Sequence, residues 1–144
     1  LPMIDVQLVT RKLSLILQDL PALIELARKN ADEYLSSPIH EVLAERYLER
    51  IIGRMIDINY HLLTELGHPP PKDYHESFVK LGVIGILPGQ LAQDIAFSAG
   101  LRNRIVHEYD DIDPRKVHEA LQIATAQFPI YLEAIRRSLE KLRP

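Results

Sequence analysis

The sequence predicts an all-α fold, an antiparallel bundle of about five helices, and three observations lead to that prediction. Apolar residues recur at spacings of three and four along most of the chain. The segments with this spacing are separated by short stretches that contain Gly and Pro, and short connections favour antiparallel neighbours. No segment has the strand–turn–strand pattern of a β-hairpin.

The first two helices are the longest apolar-periodic segments of the N-terminal half. The first is predicted over residues 6–27, with a kink or a break at Pro21. Residues 30–38 are predicted to form a connector. The second helix is predicted over residues 39–66 and ends at Gly67, before a run of three prolines. It is apolar around more of its circumference than a one-sided surface helix needs, so it either lies centrally in the core or faces a second subunit.

A short third helix is predicted after the three prolines. Asp73 is followed three residues later by Glu76, which is a capping-box pattern with Asp in place of Ser or Thr. The helix is expected to extend to about Leu81. Residues 82–90 are then predicted to form a turn-rich apolar linker, because Gly and Pro interrupt them too often for a strand.

Two further helices are predicted in the C-terminal half. The fourth begins at about Pro88 and is expected to continue to about Tyr109. Asp113 caps the fifth, with Pro114 at its first position. Pro129 is expected to bend this last helix.

Composition places the chain among globular proteins and excludes several classes of function. The 144 residues are 47% hydrophobic and 26% charged, which suits a single domain spanning residues 1–144. The absence of cysteine excludes disulfides, thiolate catalysis and cysteine metal sites. A net charge of −3 disfavours a general nucleic-acid coat protein but allows an enzyme with a locally basic cleft. No apolar run could cross a bilayer and no signal-peptide pattern is visible, so a cytoplasmic location without membrane association is expected.

The segment RNRIVHEYDDIDP, which begins at Arg102, concentrates titratable side chains at the end of the predicted fourth helix. On a helix, Arg102 and Tyr109 would fall within about 40° of each other. Asn103 and His107 are four residues apart and would be neighbours on an adjoining face. Arg102 and His107 would differ by about 140°, so the reach of a long arginine or a second copy of the helix would be needed to complete a site.

These side chains suit the cleavage of an RNA phosphodiester without a metal ion. His107 would accept the proton of the 2′-hydroxyl or protonate the leaving oxygen. Arg102 would bind the phosphate and stabilise the charge that grows in the transition state, while Asn103 would orient either group. The alternative is that the arginine and histidine are solvated or paired with nearby acids such as Glu108 and Asp110.

The same residues carry a resemblance to a known family. The R-x-x-x-x-H pattern with a polar residue after the arginine is similar to the signature of the HEPN superfamily. The form R-N-x-x-x-H-x-Y, followed by D-x-I-D-P, resembles the HepT toxins of HepT/MntA toxin–antitoxin pairs. Residues 44–63, with an acidic-Arg pair and I-D-I-x-x-H, and residues 73–88, with G-I-L-P, are similar to further segments of that family. The resemblance therefore covers nearly the whole chain.

The resemblance implies a HEPN-type all-α homodimer whose two motifs face a shared cleft and which acts as a metal-independent ribonuclease toxin. It implies Arg102 and His107 as the catalytic pair, Asn103 as polar support, and no cofactor. It also implies an MntA-like minimal nucleotidyltransferase antitoxin that transfers AMP from ATP onto Tyr109. The added phosphate would then block RNA and pair with Arg102 or Arg104. The family often has an aromatic residue where this chain has Leu101.

The resemblance also leaves a second class of function open, a non-catalytic HEPN module that binds a nucleotide or docks a nucleotidyltransferase. Asp57 likewise has two interpretations. It would be either a buried carboxylate paired with an arginine such as Arg54, or, together with Arg104, a support for Arg102 or His107.

Two other groups of residues invite a functional interpretation that their pattern does not favour. His61, His68 and His75 repeat at intervals of seven, but the run crosses a Gly–His–Pro–Pro–Pro break and does not match a compact set of metal ligands. The basic tail 136–143 is predicted to be a solvated helix face, with RNA contact as its alternative.

Overall fold

The computed structural model describes residues 3–142 and contains seven helical segments over that range. Within these residues there is no β-strand, so the predicted all-α class is confirmed. None of the helices in the described part of the chain is long and apolar enough to cross a membrane. The helices are α1 (Val6–Arg28), α2 (Ala31–Leu35), α3 (Pro38–Glu65), α4 (Tyr74–Val83), α5 (Gly89–Ile95), α6 (Phe97–His107) and α7 (Pro114–Leu142).

Helix α3 is the centre of the bundle and packs against α1, α2, α4, α6 and α7. Most of its apolar side chains are fully buried, so the core interpretation of its broad apolar surface is confirmed for most of its length. The first two turns differ, because Ile39, Val42 and Leu43 there are exposed. An apolar surface therefore remains uncovered at the start of α3.

Helix α1 is continuous through Pro21, so a break at that position was wrong. Proline lacks the amide hydrogen that would bond to the preceding turn. The neighbouring Leu20 and Leu23 are both buried, and their packing in the core compensates for the missing bond. Asp5 caps the start of the helix by accepting a hydrogen bond from the amide of Leu8 at 2.9 Å.

The predicted connector over residues 30–38 contains the short helix α2, which the sequence did not indicate. The side chain of Asn30 accepts a hydrogen bond from the amide of Glu33 at 2.9 Å and so caps α2. Tyr34 lies in this helix with its ring buried between elements, 4.7 Å from the ring of His118. Burial of Tyr34 explains why so short a helix is stable, since isolated helices of this length are not.

Helix α4 begins as predicted but ends two residues later. The carboxylate of Asp73 accepts from the amide of Glu76 at 2.8 Å, which is the expected cap. The left-handed residue that follows the helix is Gly85, with φ 84°, rather than Gly82. Gly82 is instead a point of close packing, because a Cβ atom there would lie 2.5 Å from Cβ of Ala92.

The fourth helix of the prediction is two helices, and it ends earlier than predicted. Helices α5 and α6 are separated at Ala96, whose φ of −57° and ψ of −26° remain helical. Helix α6 ends at His107, and its last hydrogen bond joins the amide of Glu108 to the carbonyl of Arg104 at 2.7 Å. Acidic residues follow immediately, and negative charge is unfavourable at the C-terminal end of a helix. Tyr109 therefore lies beyond the helix, and its predicted place on the helical face of Arg102 was wrong.

Helix α7 begins at Pro114, as predicted, and continues through Pro129 without interruption. The carboxylate of Asp113 accepts from the amide of Arg115 at 2.9 Å. A buried polar network connects α7 to the centre of the bundle. The hydroxyl of Tyr131 donates to Oδ1 of Asn59 at 2.7 Å, and Nδ2 of Asn59 donates to Oγ of Ser77 at 3.1 Å.

Candidate functional site around Arg102

Arg102 holds an unneutralised positive charge between α6, α3 and α4. Its Cζ atom lies 5.6 Å from the centre of the Tyr74 ring, which is a cation–π contact. Its Nη1 atom is 3.4 Å from Oδ1 of Asn103, a long contact for a hydrogen bond. Within the described residues, Arg102 forms no ion pair, and its buried Nε has no hydrogen-bond acceptor. The guanidinium is thus available for an anion.

A cavity of about 340 Å³ opens beside Arg102, and we call it the basic cavity. Helices α1, α3, α4 and α6 all contribute to its walls, including the ring of Tyr74. Its cations outnumber its anions. The charged residues that line it are Lys12, Arg50, Arg54 and Arg102 against Glu49 and Asp57.

Two of these arginines share one buried carboxylate. Oδ2 of Asp19 lies 2.8 Å from Nη1 of Arg54 and 3.1 Å from Nε of Arg50. Asp19 is only 7% exposed, and the two guanidiniums supply the partners that a buried carboxylate needs. One carboxylate cannot neutralise two arginines, and the pairing leaves an excess of positive charge at the wall of the basic cavity.

Asp57 lies at the rim of the basic cavity, and its predicted burial beside Arg54 was wrong. Its side chain is 58% exposed and pairs with Nζ of Lys12 at 2.8 Å. Arg54 pairs instead with Asp19 of α1. Asp57 and Arg102 do line the same cavity, so a supporting role of Asp57 toward Arg102 stays a prediction.

Asn103 and His107 are exposed and do not line the basic cavity. His107 is the last residue of α6, and its ring has no hydrogen-bond partner among the described residues. A single chain therefore does not bring the Arg102 guanidinium and the His107 imidazole into one cavity. This agrees with the separation of about 140° expected from their helical spacing.

Tyr109 lines a second depression, of about 510 Å³, between the start of α3 and the end of α6, and we call it the Tyr109 groove. Its ring is 66% exposed. Three carboxylates of α3 and one cation, Arg46, line the groove, and Glu49 also lines the basic cavity, so the two depressions adjoin. Burial and the neighbouring Glu41 raise the pKa of Glu45 to about 7.

Arg104 lies on another side of α6 and is not near the basic cavity. It lines an apolar cavity of about 470 Å³ between α6 and α7, together with Phe97, Leu101 and Ile123. The structure does not bring Arg104 together with Arg102. A supporting role of Arg104 in the site has no geometric basis in one chain.

The three histidines at intervals of seven have other contacts. Nε2 of His61 accepts a hydrogen bond from the amide of Asp5 at 2.9 Å. The ring of His75 meets that of Phe97 edge-on, with the ring centres 5.9 Å apart. No group of three or more His, Asp or Glu side chains is placed to bind a metal ion in residues 3–142.

The basic tail forms ion pairs within α7. Arg136 and Arg137 both contact Glu133, and Arg136 also contacts Glu140. Arg143, which the sequence placed in the same tail, lies outside the described residues.

Sequence reasoning missed Tyr74, Arg50 and Asp19 as parts of the site. Arg50 and Arg54 are four residues apart, and such a pair projects from the same face of a helix. That spacing was a usable signal for two adjacent cations on α3. Nothing in the local sequence indicated that Tyr74 would lie under Arg102, because that contact is between α4 and α6.

Relatives with nuclease names match most of the chain. A family model described as ribonuclease HepT-like matches residues 16–135. The tRNA nuclease HepT of Aphanizomenon flos-aquae is 40% identical over 136 residues, which is 94% of this chain and 92% of the relative. A putative RNase of Archaeoglobus fulgidus is 29% identical over 93 residues, 65% of this chain and 70% of the relative.

Solved structures share the fold at low sequence identity. The cytosolic protein YutE of Bacillus subtilis, itself of unknown function, superposes with a TM-score of 0.86 at 16% identity, covering 100% of this chain and 97% of YutE. A tri-AMPylated HEPN toxin of Shewanella oneidensis, in complex with its MNT antitoxin, superposes with a TM-score of 0.81 at 19% identity, covering 94% and 99% of the two chains. At these identities the likeness shows a HEPN-type helical fold.

Proposed function

Because the chain belongs to the HepT-like ribonuclease family, we propose that it is a metal-independent ribonuclease toxin with Arg102, His107 and Asn103 at its catalytic centre. The observation that carries the proposal is the unneutralised guanidinium of Arg102 beside the basic cavity, within an R-N-x-x-x-H motif. A relative at 40% identity is named a tRNA nuclease, so tRNA is the substrate to test first.

The proposed reaction is an attack of a ribose 2′-oxygen on the adjacent phosphorus. The bond from phosphorus to the 5′-oxygen of the next nucleotide breaks, which leaves a 2′,3′-cyclic phosphate and a free 5′-hydroxyl. His107 transfers a proton from the attacking hydroxyl or to the leaving oxygen, since it is exposed to substrate at the end of α6. Arg102 binds the phosphate oxygens and stabilises the charge that develops on them.

The active form in this proposal is a homodimer. Helix α6 of each chain, which carries Arg102 and His107, faces one shared cleft. One chain holds Arg102 and His107 apart, so a second copy would supply the histidine that the Arg102 of the first chain lacks. The uncovered apolar residues Ile39, Val42 and Leu43 offer surface for such an association. A closed dimer of two identical chains places the same residues on both sides of the interface.

The proposed control is the transfer of AMP from ATP onto Tyr109 by an MntA-like nucleotidyltransferase antitoxin, in which the tyrosine oxygen attacks the α-phosphorus and pyrophosphate leaves. Tyr109 is exposed and two residues from His107, so an attached nucleotide would add bulk and negative charge next to the proton-transferring ring. A structural neighbour of this chain, the Shewanella toxin, is described as AMPylated and bound to its antitoxin.

Cleavage of tRNA by unmodified protein in EDTA tests the catalytic part of the proposal. His107→Ala is expected to lose about 10²- to 10⁴-fold in rate, the usual contribution of proton transfer. His68→Ala is the matched control and should keep full activity. His68 follows the C-terminal end of α3, whereas the end of α6 lies near the start of α3. An RNA with 2′-deoxyribose at the cleaved position should resist. Loss of activity in EDTA, or full activity of His107→Ala, contradicts the mechanism.

A non-catalytic module that binds nucleotide is the second candidate. One observation favours it, namely that a single chain leaves His107 outside the cavity of Arg102. Such a module would bind ATP or AMP without cleaving any RNA. The same assay separates the two, because unmodified protein would then show no activity that depends on His107.

A further inference from the structure

We propose that the basic cavity binds a second phosphodiester of the RNA, next to the one at Arg102, and that Arg50 is the residue that binds it. This inference rests on the proposed function and assigns a substrate subsite to residues outside the R-N-x-x-x-H motif. Arg54 acts as a positioning residue, because it shares the buried carboxylate that holds Arg50.

The contacts of Arg50 leave its terminal amino groups available. Only its Nε atom contacts Asp19, at 3.1 Å, and no other acceptor within the described residues contacts its guanidinium. Its side chain is 39% exposed and lines the basic cavity. A guanidinium fixed at Nε with two free amino groups presents a fork of donors that matches the oxygens of a phosphate.

Arg54 is more deeply placed and its contacts are directed inward. Its Nη1 atom lies 2.8 Å from Oδ2 of Asp19 and 3.4 Å from the carbonyl oxygen of Leu15. Its side chain is 19% exposed, half the exposure of Arg50. Arg54 therefore orients Asp19, and Asp19 in turn fixes the position of Arg50.

Charge is divided along α3 in a way that favours an RNA backbone on one side of Glu49. Before this residue the Tyr109 groove is lined by Glu41, Glu45 and a single cation, Arg46, whereas after it the basic cavity is lined by Arg50 and Arg54. In a protein with a net charge of −3, this cavity is a local concentration of cations. Its volume of about 340 Å³ is at the lower end of the range for ligand pockets. A phosphodiester fits both the charge and the size.

The two lining carboxylates do not cancel this charge. Asp57 is already paired with Lys12, and Glu49 lies 3.7 Å from Arg46, which lines the Tyr109 groove.

The test is the salt dependence of RNA binding by the whole protein, with a matched pair of variants. The probe is a single-stranded oligoribonucleotide made uncleavable by 2′-deoxy substitution, bound in EDTA. Each phosphate contact that is lost lowers the slope of log K against log salt by about 0.7 for a single strand. Arg50→Gln should lower the slope by that amount and raise Kd about tenfold, the effect of one charge-assisted contact. Arg28→Gln removes the same charge at an exposed position of α1 that does not line the basic cavity, and it should leave the slope unchanged.

Two further arms separate the inference from its alternatives. Arg50→Lys keeps a cation and should restore most of the slope, whereas a variant that had merely loosened the fold would stay defective. In cleavage, Arg50→Gln should raise KM and leave kcat unchanged, because the contact is the same in the ground and transition states. Absence of cleavage by the wild type, with the Arg50 effect on binding intact, would refute the proposed function alone.

Three outcomes would overturn the subsite. The first is an equal change of slope for Arg28→Gln and Arg50→Gln. The second is a wild-type protein that does not bind the RNA probe. The third is binding of ATP, measured by calorimetry, that depends on Arg50 while RNA binding does not, which would assign the cavity to a free nucleotide.

Discussion

The guanidinium of Arg102 lies over the ring of Tyr74, with Cζ 5.6 Å from the ring centre. The Tyr74 ring in turn meets the ring of Tyr60 edge-on, with their centres 6.0 Å apart. Aromatic residues of α3 and α4 thus support one positive charge carried by α6. The aromatic face packs against the guanidinium, which also lines the basic cavity, so this half-buried arginine keeps a defined position without a carboxylate partner.

Tyr74→Ala should lower kcat/KM for RNA roughly fivefold, which corresponds to a cation–π contact of about 1 kcal/mol. Tyr74→Phe keeps the aromatic face and should retain nearly all activity. The measurement is steady-state cleavage of tRNA by unmodified protein. Equal losses in the two variants would show that the hydroxyl, and not the face of the ring, supports Arg102.

Mixed dimers should test whether the site is completed by a second chain. Arg102→Ala and His107→Ala are each expected to be inactive alone. If Arg102 of one chain acts with His107 of its partner, each mixed dimer contains one intact site, so an equal mixture should recover about a quarter of wild-type activity. The mixture is assayed after the subunits have been unfolded and refolded together. No recovery would place both residues of each site in the same chain.

Asp19 should be a main contributor to stability because it holds two arginines at a buried position. Asp19→Ala leaves both guanidiniums without their carboxylate and should reduce the free energy of unfolding by about 3 kcal/mol, at the low end for a buried pair since Arg50 reaches solvent. Glu25→Ala is the control, because Glu25 forms an exposed pair with Arg28 on the same helix. That variant should lose less than about 1 kcal/mol. Urea denaturation measures both, and similar losses would contradict the role given to Asp19.

The helices that the sequence predicted well are those with local signals. Asp73 and Asp113 are followed by apolar residues with helical spacing, and both cap helices in the structure. The class of the fold and the segment that holds Arg102 follow from such patterns alone. The buried position of Tyr34 in α2 could not be predicted, because its contacts come from residues distant in the chain.

The arrangement of the site depended on tertiary contacts that local patterns do not contain. The end of α6 at His107 has no glycine signal, and continued helical spacing wrongly placed Tyr109 on the face of Arg102. The charge partners of α3 were likewise assigned by proximity in sequence. Arg54 pairs with Asp19 of α1 and Asp57 with Lys12 of α1, and both pairings follow from the packing of α1 on α3.

Glu45 should make stability depend on pH. Its pKa is raised from 4.5 to about 7, so the folded state favours the protonated form. Its contribution is therefore fully present below pH 4.5 and is lost as the pH rises through 7. Glu45→Gln mimics the protonated form, and at pH 8 it should be more stable than the wild type by about 1 kcal/mol after allowance for partial solvent exposure.

The matched control for Glu45→Gln is Glu119→Gln, because Glu119 is an exposed carboxylate of α7. Unfolding in urea at pH 4.5 and pH 8 measures the difference. If Glu45→Gln raises the free energy of unfolding equally at both pH values, the variant acts through packing or helix propensity and not through the ionisation of Glu45.

Tyr109→Phe should leave the nuclease active and make it resistant to the nucleotidyltransferase partner. The phenylalanine keeps the ring at the mouth of the Tyr109 groove and removes the hydroxyl that would accept AMP. Among the tyrosines of the described chain, Tyr109 is the most exposed, at 66%, whereas Tyr34 and Tyr131 are buried. Tyr47→Phe, on the half-buried part of α3, is the control and should still be neutralised.

The structure changes the physical account of how such a modification would inhibit. On a continuous helix, the phosphate of the added AMP would have paired with Arg102. With α6 ending at His107, Tyr109 instead lines a groove whose three carboxylates outnumber its one cation, Arg46, and this excess of negative charge disfavours a phosphate. The nucleotide is therefore expected to turn away from the groove toward the exposed His107, where its bulk and charge exclude the RNA backbone. Peptide mass mapping after incubation with the partner and ATP checks the position, and AMP on another tyrosine with Tyr109 unmodified would disprove it.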